Sequence, residues 1–446
     1  MMIYKFLPRR IYLLIWFILL VATAFMFNSY ILFTIKDKIQ VNIINVSELK
    51  SGCFNGKDID SVEGLSVFLN FAMLNKNKMC RQTYDLFHSV YNVRIKYTQI
   101  YISSTFRERL QKWLNSDQSL MRSAENQSLV FIDNLYSHES VVFNQVRSNR
   151  PGVSSNGTSV YLQELMLSSK EGCDFCSYEK YTAFDSFGFM KSKYAVIVSN
   201  AFKIEIFHGM LLWFQHDYKR ISEVEYMSGI NLALKWFHKT HSLIPTHDYR
   251  IMYWDILPKA SASQVHPHVH LTLGDYSYYS KWNSMYHAAL RYFNENNGSD
   301  YFQQLIDIHD LLGLVFKFGN ATLLIYLTPQ KEYEVLVISR KPCQDFFRLS
   351  YYTYQVYINV LNEYAISSGY VFPKLNSNSK LELPMMLRMV SRGPADNMRS
   401  DISSFDLFGT ANVNSDPFKL MKKVHSYLVE SMKNIFQLDE DWSQEH

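Results

Sequence analysis

Hydrophobic and polar positions along this chain fall into blocks of changing period. Residues 11–35 are uncharged and almost wholly apolar, long enough to cross a bilayer as one helix. From 36 to about 140 the pattern is mixed, and only residues 105–114 (TFRERLQKWL) read as a helix. Residues 194–199 (YAVIVS) and 210–214 (MLLWF) are short apolar runs of the buried-strand kind. Ser222 and Glu225 have capping-box spacing. Ile221, Val224, Met227, Ile230, Leu234 and Phe237 follow at steps of three or four, which predicts a helix with one apolar face. Residues 250–254 (RIMYW) predict a strand, and residues 266–270 (HPHVH) alternate histidine with apolar positions. The order strand, strand, helix, strand, strand predicts an α+β unit with a mainly antiparallel sheet and a helix on one face.

The same element types recur further on. Residues 282–293 and 301–312 read as helices, and 322–327 and 334–338 as strands joined by a turn at 328–331. The second half therefore reads as a degenerate copy of the first, without its histidine run. Beyond Pro373 the chain reads as loop-rich until a closing helix at 416–432, and no chemistry is assigned there.

Composition narrows the class. At 446 residues, nearly half of them apolar and rich in aromatics, the chain can bury a sizeable core over two or three domains. The formal charge of +4 has no basic block behind it, which argues against nucleic acid as the main partner. Lys5, Arg9 and Arg10 precede the apolar run at 11–35, so the body of the chain is expected in the lumen. A cleaved signal peptide is the alternative, with Ala22-Thr23-Ala24 as its small-residue site, but the run continues past it and favours an anchor. Sequons at Asn45, Asn126, Asn156, Asn297 and Asn320 agree with a lumenal body. Of five cysteines, Cys173 and Cys176 form a CxxC, and Cys53 and Cys80 are either a lumenal disulfide or two free thiols; Cys343 is left over.

The chemistry concentrates at 263–272 (SQVHPHVHLT). In an extended strand His266, His268 and His270 share one face, offering a nucleophile, a hydrogen-bonding neighbour and a metal ligand together. A surface histidine run that binds metal adventitiously is the competing reading. Upstream, Arg147 and Arg150 stand three apart before a Pro-Gly turn, either as a clamp for phosphate or carboxylate or as a solvated pair.

These residues resemble the histidine-triad superfamily, and within it the branch of galactose-1-phosphate uridylyltransferase and diadenosine tetraphosphate phosphorylase. The resemblance rests on His266-Pro267-His268-Val269-His270 with Ser263 three residues ahead. It rests also on Arg147-Ser148-Asn149-Arg150-Pro151, on the CxxC, on Asn200 after a strand, and on His208 and His216 flanking Leu211 and Leu212. It implies that His268 is the nucleophile and forms a nucleotidyl-histidine, with Ser263 donating to phosphate oxygens and His270 able to protonate the leaving group. It implies that Arg147 and Arg150 hold distal phosphate, that Asn200 and Asp255 contact the nucleotide, and that Cys173, Cys176, His216 and His266 hold a structural zinc. A disulfide from Cys53 or Cys343 to the CxxC is the alternative to zinc. This sequence departs from the transferase pattern in having His270 for glutamine, Asp255 for asparagine, and a thinned glycine approach (residues 259–263, KASAS).

The resulting expectation is a type II membrane protein of the endoplasmic reticulum or Golgi. Residues 1–35 would be a cytoplasmic tip and anchor, 36–140 a lumenal extension, 141–278 a histidine-triad-like catalytic domain, and 279–446 a degenerate second one with a tail. It would be a nucleotidyltransferase or phosphorylase acting on a nucleotide sugar or dinucleotide, with homodimerisation left open. The alternatives are a histidine-triad nucleotide hydrolase, a non-catalytic nucleotide-binding module, and a purely metal-binding surface protein, which the arginine pair disfavours.

Overall fold

The computed structural model describes residues 46–54, 58–144, 146–147, 158–340, 343–377 and 381–444. Its strands are Tyr91–Gln99 (β1), Asn126–Asn134 (β2), Ser140–Phe143 (β3), Met190–Lys191 (β4), Ala195–Ser199 (β5), His208–Trp213 (β6), Tyr249–Ile256 (β7), His268–Gly274 (β8), Val315–Phe318 (β9), Ala321–Ile325 (β10), Val335–Ser339 (β11), Ile366–Val371 (β12), Met385–Ser391 (β13) and Ala411–Val413 (β14).

Ten of them form one antiparallel sheet in the order β4-β5-β6-β8-β7-β12-β13-β11-β10-β9. Each half repeats one connectivity. β4, β5 and β6 are followed by the helix Glu223–Leu243 and then by β7 and β8; β9, β10 and β11 are followed by the helix Gln344–Val356 and then by β12 and β13. The halves join at their inner edges, where β7 pairs with β12 through Trp254↔Ser368 and its neighbours. β13 thus corresponds to the histidine strand β8, and β11 to β6. The fold is α+β, as its periodicities predict.

The capping box at Ser222 is formed: Glu225 N–H donates to the Ser222 hydroxyl at 3.3 Å, and Ser222 N–H donates to the Glu225 carboxylate at 2.8 Å. Most of the expected apolar face is covered: Ile221, Ile230 and Phe237 are buried, and Met227 and Leu234 pack partly buried against the core. Tyr226, Ile230, Ala233, Trp236 and Phe237 are buried, whereas Val224 is 64% exposed. A Cβ on Gly229 would lie 2.5 Å from Trp213 Nε1, so the bare backbone is what lets the β6 indole seat against the helix. Gly229→Ala should therefore lower stability by about 1–3 kcal/mol through overpacking, read as a lower denaturant midpoint.

The loop-rich reading beyond Pro373 needs correction: Met385–Ser391 is a central strand paired on both sides. A run of methionines with Arg388 in its middle has no two-residue alternation, because both faces of that strand are covered.

A second sheet, β1-β2-β3-β14, is built mainly from the N-terminal region, with β14 pairing parallel to β3. The helices Val46–Phe54, Val62–Leu74 and Lys78–His88 flank it, and Cys53 and Cys80 form a disulfide between the first and third. No helix among the described residues is long and apolar enough to cross a membrane; residues 11–35 lie outside them.

Candidate functional site

The histidines occupy one face of β8 and the region just before it. Val269, Leu271 and Leu273 point into the core, so His268 and His270 take the other side. His266 precedes the strand rather than belonging to it. Its Nε2 donates to the Trp213 carbonyl at 2.6 Å, and its Nδ1 faces Cys173 and Cys176. The Phe175 ring, inside the CxxC turn, packs edge-on against both His266 and His268, with centroids 5.9 and 5.2 Å away.

His268 is 4% exposed. Its Nδ1 donates to the His266 carbonyl at 2.9 Å, which leaves the Nε2 lone pair of the neutral ring unprotonated. Burial lowers its pKa, partly opposed by that carbonyl and by Asp255, so the neutral, nucleophilic form prevails near pH 7.

His270 is joined to His208 on the neighbouring strand. Ile204 N–H donates to His208 Nδ1 at 3.3 Å, placing that ring's proton on Nε2, which donates to His270 Nδ1 at 3.0 Å. The proton of His270 is then on Nε2, where it can donate a hydrogen bond to a leaving group. Asn200 Nδ2 lies 3.3 Å from His208 Nε2 and 3.5 Å from His270 Nδ1. Burial, then His268 and His208, depress the His270 pKa to about 4.

Cys173, Cys176, His216 and His266 come together, with their ligand atoms all within 4.8 Å of one another. His216 Nδ1 lies 3.4 Å from Cys176 Sγ and 3.2 Å from His266 Nδ1, and Cys173 Sγ lies 3.5 Å from His266 Nδ1. A tetrahedral ion with metal–sulfur bonds of about 2.3 Å and metal–nitrogen bonds of about 2.0–2.1 Å has edges of roughly 3.3–3.8 Å, so the four residues fit a metal ion. The outer nitrogens are already engaged: His266 by the Trp213 carbonyl, and His216 Nε2 by Ser169 Oγ at 3.1 Å. Without an ion the arrangement is unfavourable for charge, since burial and Cys173 push the Cys176 thiol up to about 11. Neither CxxC cysteine is in a disulfide.

The remaining expected residues separate. Continuing the Tyr253↔His270 register by two positions sets Asp255 across from His268. Its carboxylate accepts from Ser367 Oγ of the second half at 2.5 Å, and Arg392 Nη1 donates to that same hydroxyl at 2.9 Å. Burial raises the Asp255 pKa, against the pull of Ser367 and Arg392. Ser263 is exposed with no side-chain hydrogen bond among the described residues. Arg147 lines a cavity with Lys259 and Arg392 instead of touching the histidines, and Arg150 lies outside the described residues. Three participants were not foreseen: Phe175 was hidden between the cysteines, and Ser367 and Arg392 carry no motif. His208, which the sequence offered only through the resemblance, is the hydrogen-bond partner of His270.

No protein-family model matches the sequence, and no curated protein matches it. Solved structures do. An ADP-glucose phosphorylase from Arabidopsis thaliana with bound ADP-glucose superposes with a TM-score of 0.50 at 14% identity, over 66% of this chain and 97% of that one. A galactose-1-phosphate uridylyltransferase-like protein from Arabidopsis thaliana gives 0.47 at 14% identity, over 57% and 91%. A yeast Ap4A phosphorylase in complex with AMP gives 0.31 at 12% identity, over 74% and 96%. The chain shares its fold with the ADP-glucose phosphorylase.

Proposed function

We propose that this protein is a nucleotidyltransferase or phosphorylase that works through a nucleotidyl-histidine at His268. One observation carries the reading: the nucleophilic nitrogen of His268 is left unprotonated by the His266 carbonyl, while the hydrogen-bond donor His270 stands two residues along the same face. In the first step His268 Nε2 attacks the α-phosphorus of a nucleotide sugar or dinucleotide. The P–N bond forms, the bond to the bridging oxygen breaks, and the departing phosphate takes the electron pair and leaves as an anion, with the His270 Nε2–H able to hydrogen-bond it. In the second step an acceptor oxygen attacks the same phosphorus, and the pair in the P–N bond returns to the imidazole. Ser263, Arg147 and Arg150 are assigned to phosphate, and Asn200 and Asp255 to the nucleotide.

Zinc suits the Cys173, Cys176, His216 and His266 set, and when bound it ties the CxxC turn to the start of the histidine strand. One metal per chain is expected by elemental analysis, and Cys173→Ser/Cys176→Ser should lose it together with several kcal/mol of stability, on the order of a structural zinc's contribution. Wild-type melting unmoved by chelation would remove the metal from the account.

Water as the acceptor is the second reading, favoured by the His208–His270 proton chain. The test is to incubate the protein with an α-labelled nucleotide sugar or dinucleotide and assay for an acid-labile adduct, then to compare its discharge by inorganic phosphate and by buffer alone. Transfer predicts phosphate-dependent discharge; hydrolysis predicts discharge without it. No adduct on the wild-type protein counts against both.

The same reading takes 141–278 as the catalytic copy and 279–446 as its degenerate partner, behind an extension at 36–140 and an anchor at 11–35. The Cys53–Cys80 disulfide and the exposed sequon residues Asn126, Asn297 and Asn320 support a lumenal compartment. Glycosidase digestion of the protein expressed in a eukaryotic cell should shift its mobility, and an unshifted band would place it elsewhere.

A further inference from the structure

The helix Val62–Leu74 in the N-terminal extension is apolar on more sides than the body of the chain covers. Val62, Leu65, Leu69 and Ala72 are buried and belong to the core. On the opposite side, at steps of four and three, Val67, Phe71 and Leu74 are 67%, 47% and 78% exposed. A helix that is apolar on both sides is ordinarily enclosed, so this outer stripe calls for a partner. Charge is divided between the two ends of the helix. Asp58, Asp60 and Glu63 lie at its start, and Lys76 and Lys78 just past its end. Glu63 continues the stripe itself, four residues before Val67. None of these five residues makes an ion pair among the described residues, whereas the next two charges, Arg81 and Asp85, pair with each other at 3.4 Å. The basic end is also held in place: Lys78 opens the helix Lys78–His88, whose Cys80 is bonded to Cys53.

The separation of signs selects the occupant. A second copy laid antiparallel across the stripe sets apolar side chains on apolar side chains and brings its acidic start to the lysines of the first. Two-fold symmetry repeats that match at the other end, about an axis near Asn70 and Phe71. A parallel pairing would instead set like charges together at both ends. A bilayer surface would use the basic end and leave the carboxylates against lipid headgroups.

We propose that this protein pairs with a second copy of itself through the helix Val62–Leu74, as an antiparallel two-fold dimer in which Asp60 and Glu63 of each copy face the other copy's Lys76 and Lys78. The helix is about 20 Å long, so this is a small interface, and its reliance on exposed charge makes it sensitive to salt. The pairing stands apart from the nucleotidyl-transfer reading, since it uses the extension and no residue of the histidine site.

The test follows the full chain in a nonionic detergent by sedimentation, over a rising protein concentration. The wild-type protein should pass from monomer to dimer, and added salt should move that transition to higher concentration. Leu74→Glu changes a side chain that the monomer leaves in solvent, and it should stay monomeric where the wild type is dimeric. Two charge variants complete the design. Lys76→Glu/Lys78→Glu makes both ends of the stripe acidic, and Asp60→Lys/Glu63→Lys makes both basic. Each alone should need about tenfold or more higher concentration to dimerise. Their equal mixture should dimerise near the wild-type concentration, because opposite charges again face each other at both ends; misfolded variants could not rescue one another in this way. A wild-type chain that stays monomeric overturns the proposal. A dimer that Leu74→Glu leaves intact also overturns it, since the contact then lies elsewhere. A mixture no better than its separate components overturns the antiparallel arrangement.

Discussion

His268→Ala should abolish the acid-labile nucleotidyl adduct and lower turnover by on the order of 10^4-fold or more, with metal content and melting behaviour close to wild type. The size of the effect follows from the division of labour in the site. His270 and His208 only move or orient a proton, an assistance worth about 10^2–10^4-fold in comparable cases. His268 makes the bond. Its loss removes the covalent route altogether, since the other imidazole lone pairs are spent: His266 Nδ1 faces the cysteines, and His270 Nδ1 accepts from His208. His270→Asn is the informative contrast. It should still form the adduct, and the rate should suffer most with substrates whose leaving phosphate is a poor one. An adduct of wild-type intensity on His268→Ala would move the nucleophile elsewhere and overturn the assignment.

Much of this site was legible in the sequence because its determinants are local. A period-two strand places alternate histidines together whatever the rest of the fold does, and the Ser222 capping box announces its helix from four residues. The CxxC turn is likewise a local feature, although its meeting with His216 and His266 depends on β6 and β8 being neighbours. What escaped detection is long-range. The partner of Asp255 lies 112 residues away, on a strand that carries no chemical motif. β13 was hidden because a strand covered on both faces shows no alternation. The close approach of Trp213 to Gly229 is likewise revealed only by the folded chain.

The other large effect is expected far from the histidines, at Arg388. In the repeated order of the sheet, the Glu334–Arg388 pair bridges β11 and β13 as the His208–His270 pair bridges β6 and β8. The N-terminal region closes over it. Glu139, at the entry to β3, lies 2.8 Å from Arg388 Nη2 and accepts from Tyr326 OH at 2.7 Å, while Lys281 Nζ stands 3.0 Å away. Burial alone would disfavour every one of these charges. Glu139 and Glu334 nonetheless hold the guanidinium ionised, and Arg388 with Lys281 and Tyr326 keeps the Glu139 pKa below its usual value. Arg388→Ala would leave two buried carboxylates without their shared cation, a loss of about 3–5 kcal/mol out of a typical total of about 5–15. The expected readout is a large fall in denaturant midpoint, with the N-terminal sheet becoming protease-sensitive. If desolvated charge is the cause, the triple variant Arg388→Met/Glu139→Gln/Glu334→Gln should recover most of the loss, because no buried ion is then left unpaired and Lys281, half exposed, is solvated. If the triple variant is as unstable as Arg388→Ala, the deficit is one of packing, and the extension is held to the second half by shape alone.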